Sequence, residues 1–116
     1  MDRVAQAREA LVKANEHRLA VAYAKRDIAA LDTTAGREAV ADLFATCEDP
    51  GILAGRVQDY LRAPKRTGSE KSTRVMRDMG IKRADCRVRD LTMRQRQLIA
   101  HAVLNGYRVD LFAEAA

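Results

Sequence analysis

The stretch Lys65–Ile81, KRTGSEKSTRVMRDMGI, sets the organisation of this 116-residue chain. A short polar segment with a single glycine, Gly68, leads into a pattern of helical period, and Gly80 follows it as a helix-ending residue. The apolar positions of that pattern predict one buried helix face, made of Val75, Met76 and Met79. The stretch therefore predicts a loop, then a helix with one face in the core and a basic face outward.

The start of this helix has two interpretations. Thr67 and Glu70 have the spacing of a capping box, in which each side chain binds a backbone N–H group near the other. Alternatively, Gly68 lets a phosphate approach the free N–H groups of the first turn without meeting a β-carbon, and Lys71 supplies a full charge one turn in. The two interpretations are compatible, although Glu70 places a negative charge where the phosphate would lie. The local sequence leaves both open.

Outside this stretch, helix is again the only period present, and we predict an all-α fold. A long N-terminal helix spans about Asp2–Leu31, with a face so rich in alanine in its first half that it packs thinly and projects as an arm. A compact bundle of about four short helices follows it. We assign residues 1–32 to the arm, 33–106 to the helical domain and 107–116 to a C-terminal tail.

Capping residues mark the starts of the remaining helices. Thr33 or Thr34 caps the second helix, and Pro50 opens a third that continues to Leu61. Thr92 has Gln95 three residues further on, which predicts a capping box for the last helix. Residues 62–68 form a loop, and residues 81–91 form an extended connection. The positions expected in the core are Val40, Leu43, Phe44, Cys47, Ile52, Leu53, Val57, Tyr60, Leu61, Ile81, Val88, Leu91, Leu98, Ile99, Ala102 and Val103.

Positive charge is concentrated in one part of the chain. Residues 1–61 carry a net charge of −2, whereas residues 62–108 hold thirteen Lys/Arg against four Asp/Glu, a net charge of +9. A basic segment of this density is the electrostatic footprint of a polyanion-binding protein, with a merely solubilising surface as the alternative.

The residue inventory argues against several classes of protein. The two cysteines, Cys47 and Cys86, and the two histidines, His17 and His101, match no metal-ligand spacing, and the two serines have no base partner in a catalytic motif. We therefore expect that the protein is not an enzyme and that it binds no small-molecule substrate, metal or cofactor. No signal peptide or membrane-spanning stretch is recognisable, and the cysteine usage suits a reducing cytoplasm.

The basic segment also lacks the side chains that read bases. No aromatic residue lies between Leu61 and Gly106, so the segment offers no platform on which single-stranded bases could stack. Its amide side chains are few, Gln95, Gln97 and Asn105, although bidentate recognition of adenine requires such amides. The inventory favours contact with phosphates over the reading of sequence.

The run from Tyr60 to Leu104 resembles the helix-two-turns-helix region of the actinobacterial integration host factors. The most specific elements are the Gly-x-x-Lys turn at Gly68 and Lys71, a helix ending in Met-Gly-Ile, the Arg-Val-Arg-x-Leu segment 87–91 and RQR in the last helix. A looser resemblance extends upstream to the long first helix. It implies a helical architectural protein of the nucleoid that binds double-stranded DNA, largely without sequence specificity, and bends or compacts it. Recombinases and other DNA-bound proteins would be partners through the shared DNA.

The resemblance also implies a set of DNA-binding residues. The family's glycine and lysine fall on Gly68 and Lys71, and its three arginines fall on Cys86, Arg87 and Arg89. Cys86 departs from the pattern, as do Asp90 in place of a glycine and Ser69 in place of a common lysine. Cations at Arg62, Arg66, Arg74 and Arg94 are expected to compensate, and such drift suits a divergent copy carried by a phage. The predicted site comprises Lys65, Arg66, Gly68, Ser69, Lys71, Arg74, Arg87, Arg89 and Arg94.

Two other functions remain open. A related two-turn motif occurs in a small-subunit ribosomal protein, so the chain could bind duplex RNA instead of DNA. The chain could also be a regulator that contacts a host protein through its first helix. On that helix Arg3, Arg8, Lys13 and Arg18 advance in steps of five, interrupted by Glu9 and Glu16, so the sequence does not say whether the arm touches DNA.

Overall fold

A computed structural model describes residues 2–113, and within them the regular structure is helical, as predicted. One isolated antiparallel bridge joins Arg56 to Arg87, and no strand is present in this part of the chain. The helices in chain order are α1 (Arg3–Ala30), α2 (Thr33–Thr46), α3 (Pro50–Leu53), α4 (Val57–Arg62), α5 (Ser69–Asp78) and α6 (Met93–Leu104), with a 3₁₀ turn (Val88–Asp90) before α6.

The long first helix is an arm over its N-terminal half, as the alanine-rich sequence predicts. Asp2 caps it by accepting a hydrogen bond from the Val4 N–H at 3.0 Å. Residues 2–16 are all exposed, and Ile28 is the one fully buried residue of the helix. The second half packs on α2 and α3, where a β-carbon at Gly51 would lie 3.0 Å from the Ala20 β-carbon. Small residues thus hold the arm close to the core.

The core forms mainly where α2 packs against α6, and the predicted apolar faces meet there. Val40 and Phe44 on α2 and Ile99 and Val103 on α6 are buried almost completely. The Phe44 ring packs edge-on against Tyr60, with 6.4 Å between ring centres and 89° between planes. Burial of these side chains removes apolar surface from water, which is the main favourable contribution to folding.

The single helix predicted from Pro50 to Leu61 is wrong in its length. The structure has two short helices there, α3 and α4, separated by the non-helical residues 54–56. A β-carbon at Gly55 would lie 2.5 Å from the hydroxyl of Tyr60, so only glycine fits against that ring. The Gly55 carbonyl accepts a hydrogen bond from Val88 N at 3.0 Å, and Val57 N donates to the Cys86 carbonyl at 2.9 Å. These long-range bonds replace helical ones. Burial raises the pKa of Tyr60, whose hydroxyl donates to the Ile52 carbonyl.

Helix caps agree with the sequence at α6 and differ at α2. At α6, Thr92 and Gln95 form the predicted capping box, with side chain to N–H distances of 3.1 and 2.8 Å. At α2, the cap is Asp32, which accepts from Ala35 N at 2.8 Å, and not Thr33 or Thr34. A carboxylate one residue earlier suits the helix dipole better than a hydroxyl does.

The C-terminal boundary also differs from the prediction. Gly80 and Gly106 end α5 and α6 with φ angles of +73° and +67°, as expected of such glycines. Tyr107 was predicted to begin the tail, but its side chain is fully buried and its φ is +62°. The chain therefore turns back into the core after Gly106. Residues 114–116 of the predicted tail lie outside the described residues.

Candidate nucleic-acid interface

The N-terminus of α5 has no side-chain cap. Gly68 is the N-cap residue, with φ −81° and ψ 171°, and no side chain accepts a hydrogen bond from the first turn. The capping-box interpretation of Thr67 and Glu70 is therefore wrong, because Thr67 lies one residue outside the cap and its hydroxyl is 3.4 Å from that of Tyr107. Lys71, not Glu70, occupies the third helical position. The first-turn N–H groups remain available to an anion.

The space in front of this helix end is open. A β-carbon at Gly68 would have no neighbour within 4 Å, so neither packing nor backbone conformation requires glycine there. Behind it, the buried Ser72 hydroxyl donates to the Ser69 carbonyl at 3.0 Å and accepts from Arg62 Nε at 3.1 Å. These bonds hold the first turn of α5 against the end of α4, so the open N–H groups sit on a rigid support.

Five of the nine predicted site residues gather at this end of α5. Lys65 and Arg66 are exposed on the loop before it. They also border a shallow cleft that the start of α2 lines on its other side. Gly68, Ser69 and Lys71 belong to the helix end itself. We define the α5 anion site as these five residues: Lys65, Arg66, Gly68, Ser69 and Lys71.

Two predicted residues instead hold chain ends in place. Arg74 donates from Nε to the Tyr107 carbonyl at 3.2 Å and from Nη2 to the Gly106 carbonyl at 3.0 Å, which satisfies the C-terminal end of α6. Arg94 donates to the carbonyls of Ala113 and Leu111 at 2.8 and 3.2 Å. Both guanidinium groups thus bind backbone carbonyls of the protein. The charge pattern of the sequence did not indicate this structural role.

The remaining two predicted residues lie in a groove between the arm and the core. Arg87 donates to the Ala54 carbonyl, and Arg87 and Arg89 line the groove beside the junction of α3 and α4. The groove has a volume of about 660 Å³. Its cations, which we call the groove cations, come from both walls: Lys13, Arg18, Lys25, Arg56, Arg87 and Arg89. One carboxylate, Asp59, lies among them, 3.9 Å from Lys25.

The departures from the family pattern have local structural roles. Asp90 accepts a hydrogen bond from Arg87 N at 3.1 Å and so supports the 3₁₀ turn. The Cys86 thiol lies 3.7 Å from the Arg87 carbonyl, and burial raises its pKa. Cys86 therefore contributes no positive charge, and the Asp90 carboxylate is bound to the backbone. Arg87 and Arg89 are the cations of this segment that line the groove.

The two basic sites are separated by α4. Arg56, at the start of α4, lines the groove, and Arg62, at its end, supports the α5 anion site. A helix of six residues is about 9 Å long, so the sites lie at opposite ends of a short rigid element.

Few of the cations are neutralised within the protein. In residues 2–113, three ion pairs are present: Lys25–Asp59, Arg77–Asp78 and Arg83–Asp85. The bidentate Arg83–Asp85 contact lowers the pKa of Asp85. The cations of the α5 anion site have no carboxylate within ion-pair distance in this part of the chain, so their charge is directed to solvent and to ligands.

Sequence reasoning missed several residues of these sites. Arg56 and Lys25 join the groove only because α1 folds back over α3, and no spacing in the sequence signals this. Arg37, on α2, lies with its guanidinium carbon 5.1 Å from the centre of the Tyr107 ring, next to the α5 anion site. Because Arg37 and Tyr107 are seventy residues apart, no local sequence pattern could predict that they are in contact.

Other kinds of site are not indicated. The described residues contain no group of three or more His, Cys, Asp or Glu side chains able to hold a metal ion. No helix within residues 2–113 is both long and apolar enough to cross a membrane. Comparisons with protein-family models, curated proteins and solved structures find no match to this chain. The resemblance to the integration host factors therefore stays a prediction.

Proposed function

We propose that this protein is an architectural DNA-binding protein that contacts the phosphates of a duplex, largely without reading sequence, and bends or compacts the DNA. The observation that carries the proposal is the uncapped N-terminus of α5, with open space at Gly68 and Lys71 at the third helical position. A free helix N-terminus beside unpaired cations is a favourable environment for a phosphate.

The groove cations support contact with a polyanion at a second place. Both walls are basic and Asp59 offsets only part of their charge, so a further anion between them would reduce the electrostatic repulsion between the arm and the core. A duplex backbone carries a charge every 3.4 Å or so along each strand and can supply several such anions. A duplex held at two points on opposite ends of α4 is also constrained in its path, which is what bending requires.

A second candidate function follows from the outer face of α1. At 100° per residue, five exposed apolar side chains fall on the side of the helix opposite to Val21, Ala24 and Ile28, which face the core. They are Val4 (56% exposed), Leu11 (62%), Val12 (56%), Leu19 (52%) and Tyr23 (51%). Such a face favours a regulator that binds a protein partner through the arm, either in addition to DNA binding or in its place.

Salt dependence tests the proposed function. For phosphate contact, the logarithm of the affinity for duplex DNA should fall linearly with the logarithm of the salt concentration, by about 0.9 for each phosphate neutralised. We expect a slope corresponding to several phosphates, and a smaller change on altering the probe sequence. The measurement is fluorescence anisotropy with duplex DNA, duplex RNA and single strands at matched salt. Tighter binding of duplex RNA would support the RNA-binding alternative, and no duplex binding at low salt would favour the protein-binding one.

The groove makes a separate prediction. Replacing Lys13 and Arg18 together by glutamine removes two groove cations from the arm wall without touching the core, so the salt slope should flatten by up to two units. Arg8→Gln is the matched control, because Arg8 is exposed on the same helix but lies outside the groove. Equal slopes for the double variant and the wild type would show that Lys13 and Arg18 contact no phosphate.

A further inference from the structure

Four arginines, Arg37, Arg74, Arg87 and Arg96, are wholly or partly buried, and all but Arg37 donate to backbone carbonyls, Arg87 to that of Ala54. Arg96 donates to three backbone carbonyls and Arg74 to two. Arg37, in contrast, has a buried Nε with no hydrogen-bond partner, and no carboxylate within residues 2–113 forms an ion pair with it. The Nε atom is itself closed to solvent, so a ligand would bind the two outer nitrogens of this partly exposed guanidinium group, which have no protein acceptor in this part of the chain either.

Tyr107 holds this uncompensated charge beside Lys71. The Arg37 guanidinium carbon lies 5.1 Å and Lys71 Nζ lies 5.9 Å from the centre of the same ring. The ring is fully buried and its hydroxyl donates to the Leu61 carbonyl at 3.3 Å, so it cannot move away from either cation. The ring face partly stabilises both charges, but it neutralises neither.

We propose that Arg37 is a phosphate-binding residue of the α5 anion site, and this inference rests on the proposed function. One phosphate would lie at the N–H groups after Gly68, with Lys71 beside it. Arg37 would bind a neighbouring phosphate of the same strand, since strand phosphates recur about every 3.4 Å of helix axis. A guanidinium group suits this position, because its planar set of donors can bind two oxygens of one phosphate.

The experiment compares the salt slopes of single variants on one DNA duplex. Arg37→Gln should flatten the slope by about 0.9, the value for one phosphate. The unfolding temperature of this variant should change little, because removal of an unsatisfied buried donor offsets the loss of the contact with the Tyr107 ring. Arg37→Lys should keep the slope and bind severalfold more weakly, because it retains the charge and loses the bidentate contact.

Arg26→Gln is the matched control. Arg26 also stacks on a tyrosine, with its guanidinium carbon 4.9 Å from the centre of the Tyr23 ring, but it lies on α1 outside both basic sites. The salt slope of the Arg26→Gln variant should equal that of the wild type.

The outcomes separate the inference from the proposed function. A flatter slope for Lys71→Ala but not for Arg37→Gln would overturn the role of Arg37 and leave the α5 anion site standing. Wild-type slopes for both variants would overturn the α5 anion site itself. An Arg37→Gln slope that Arg26→Gln reproduces would show general loss of charge and would also refute the assignment.

Discussion

Replacing Gly68 by valine should weaken the binding of duplex DNA at least tenfold, which corresponds to about 1.4 kcal/mol. The branched side chain would stand in front of the N–H groups of the α5 first turn, where the phosphate is proposed to lie. The fold should survive, because the position is open to solvent and its φ is −81°, an ordinary value for valine. Only the N-cap preference is lost, at a cost on the order of 1 kcal/mol.

Two further variants distinguish steric blocking from loss of charge. Lys71→Ala keeps the backbone site, so it should flatten the salt slope by about one unit without abolishing binding. Glu70→Gln should tighten binding slightly, since it removes the negative charge nearest to the proposed phosphate and Glu70 caps nothing in the structure. If Gly68→Val unfolds as the wild type does and binds DNA with unchanged affinity, no phosphate lies at this helix end.

Replacing Arg96 by alanine should lower the free energy of unfolding by about 3 kcal/mol, since three charge-assisted hydrogen bonds are lost and their acceptors are left buried. Arg96 is 8% exposed. It donates to the carbonyls of Phe44, Leu43 and Cys47 at 2.7, 3.2 and 2.6 Å. These are the last carbonyls of α2, so the guanidinium acts as the C-terminal cap of that helix and binds it to α6.

The measurement is chemical denaturation, in which the midpoint should fall while the slope is retained. Arg108→Ala is the control, because Arg108 is an exposed arginine close to the end of the same helix, and it should change stability by about 0.5 kcal/mol or less. Arg96→Lys should be intermediate, since an ammonium group keeps the charge but cannot reach three carbonyls in one plane. Equal stabilities for the alanine variants at 96 and 108 would show that α2 needs no cap from α6.

Periodic parts of the fold were predictable because their signals are local. The apolar faces of α2 and α6 follow from the spacing of Val40, Phe44, Ile99 and Val103, all of which are buried. The capping box at Thr92 and the helix ends at Gly80 and Gly106 also depend only on residues a few positions apart. The prediction failed at the interruption between α3 and α4. Gly55 packs there against the Tyr60 ring and accepts a hydrogen bond from Val88 N, and helical periodicity cannot identify these contacts.

The candidate site divides in the same way. The loop and helix start at Lys65–Lys71 are contiguous, so a single stretch of sequence was enough to propose a phosphate site there. The sequence left the cap open because a threonine and a glycine at adjacent positions both fit an N-cap, and only the course of the backbone distinguishes them. Arg74 and Arg94 were indistinguishable in sequence from free cations, although their guanidinium groups bind carbonyls near the C-terminus.

The sequence by itself determined that the chain is helical, that α2 and α6 each have an apolar face, and that the positive charge is concentrated in residues 62–108. Apolar period and charge are properties of neighbouring residues, so no folding is needed to recognise them. Tertiary structure alone decided which cations remain available. Arg74 and Arg96 donate to carbonyls at helix ends. Arg37 is instead brought to the Tyr107 ring beside Lys71, and Arg56 to the groove, both from the half of the chain whose net charge is negative. The physical reason is that a guanidinium group is satisfied by whichever acceptors the folded backbone places within about 3 Å of it, and those acceptors lie far away in sequence.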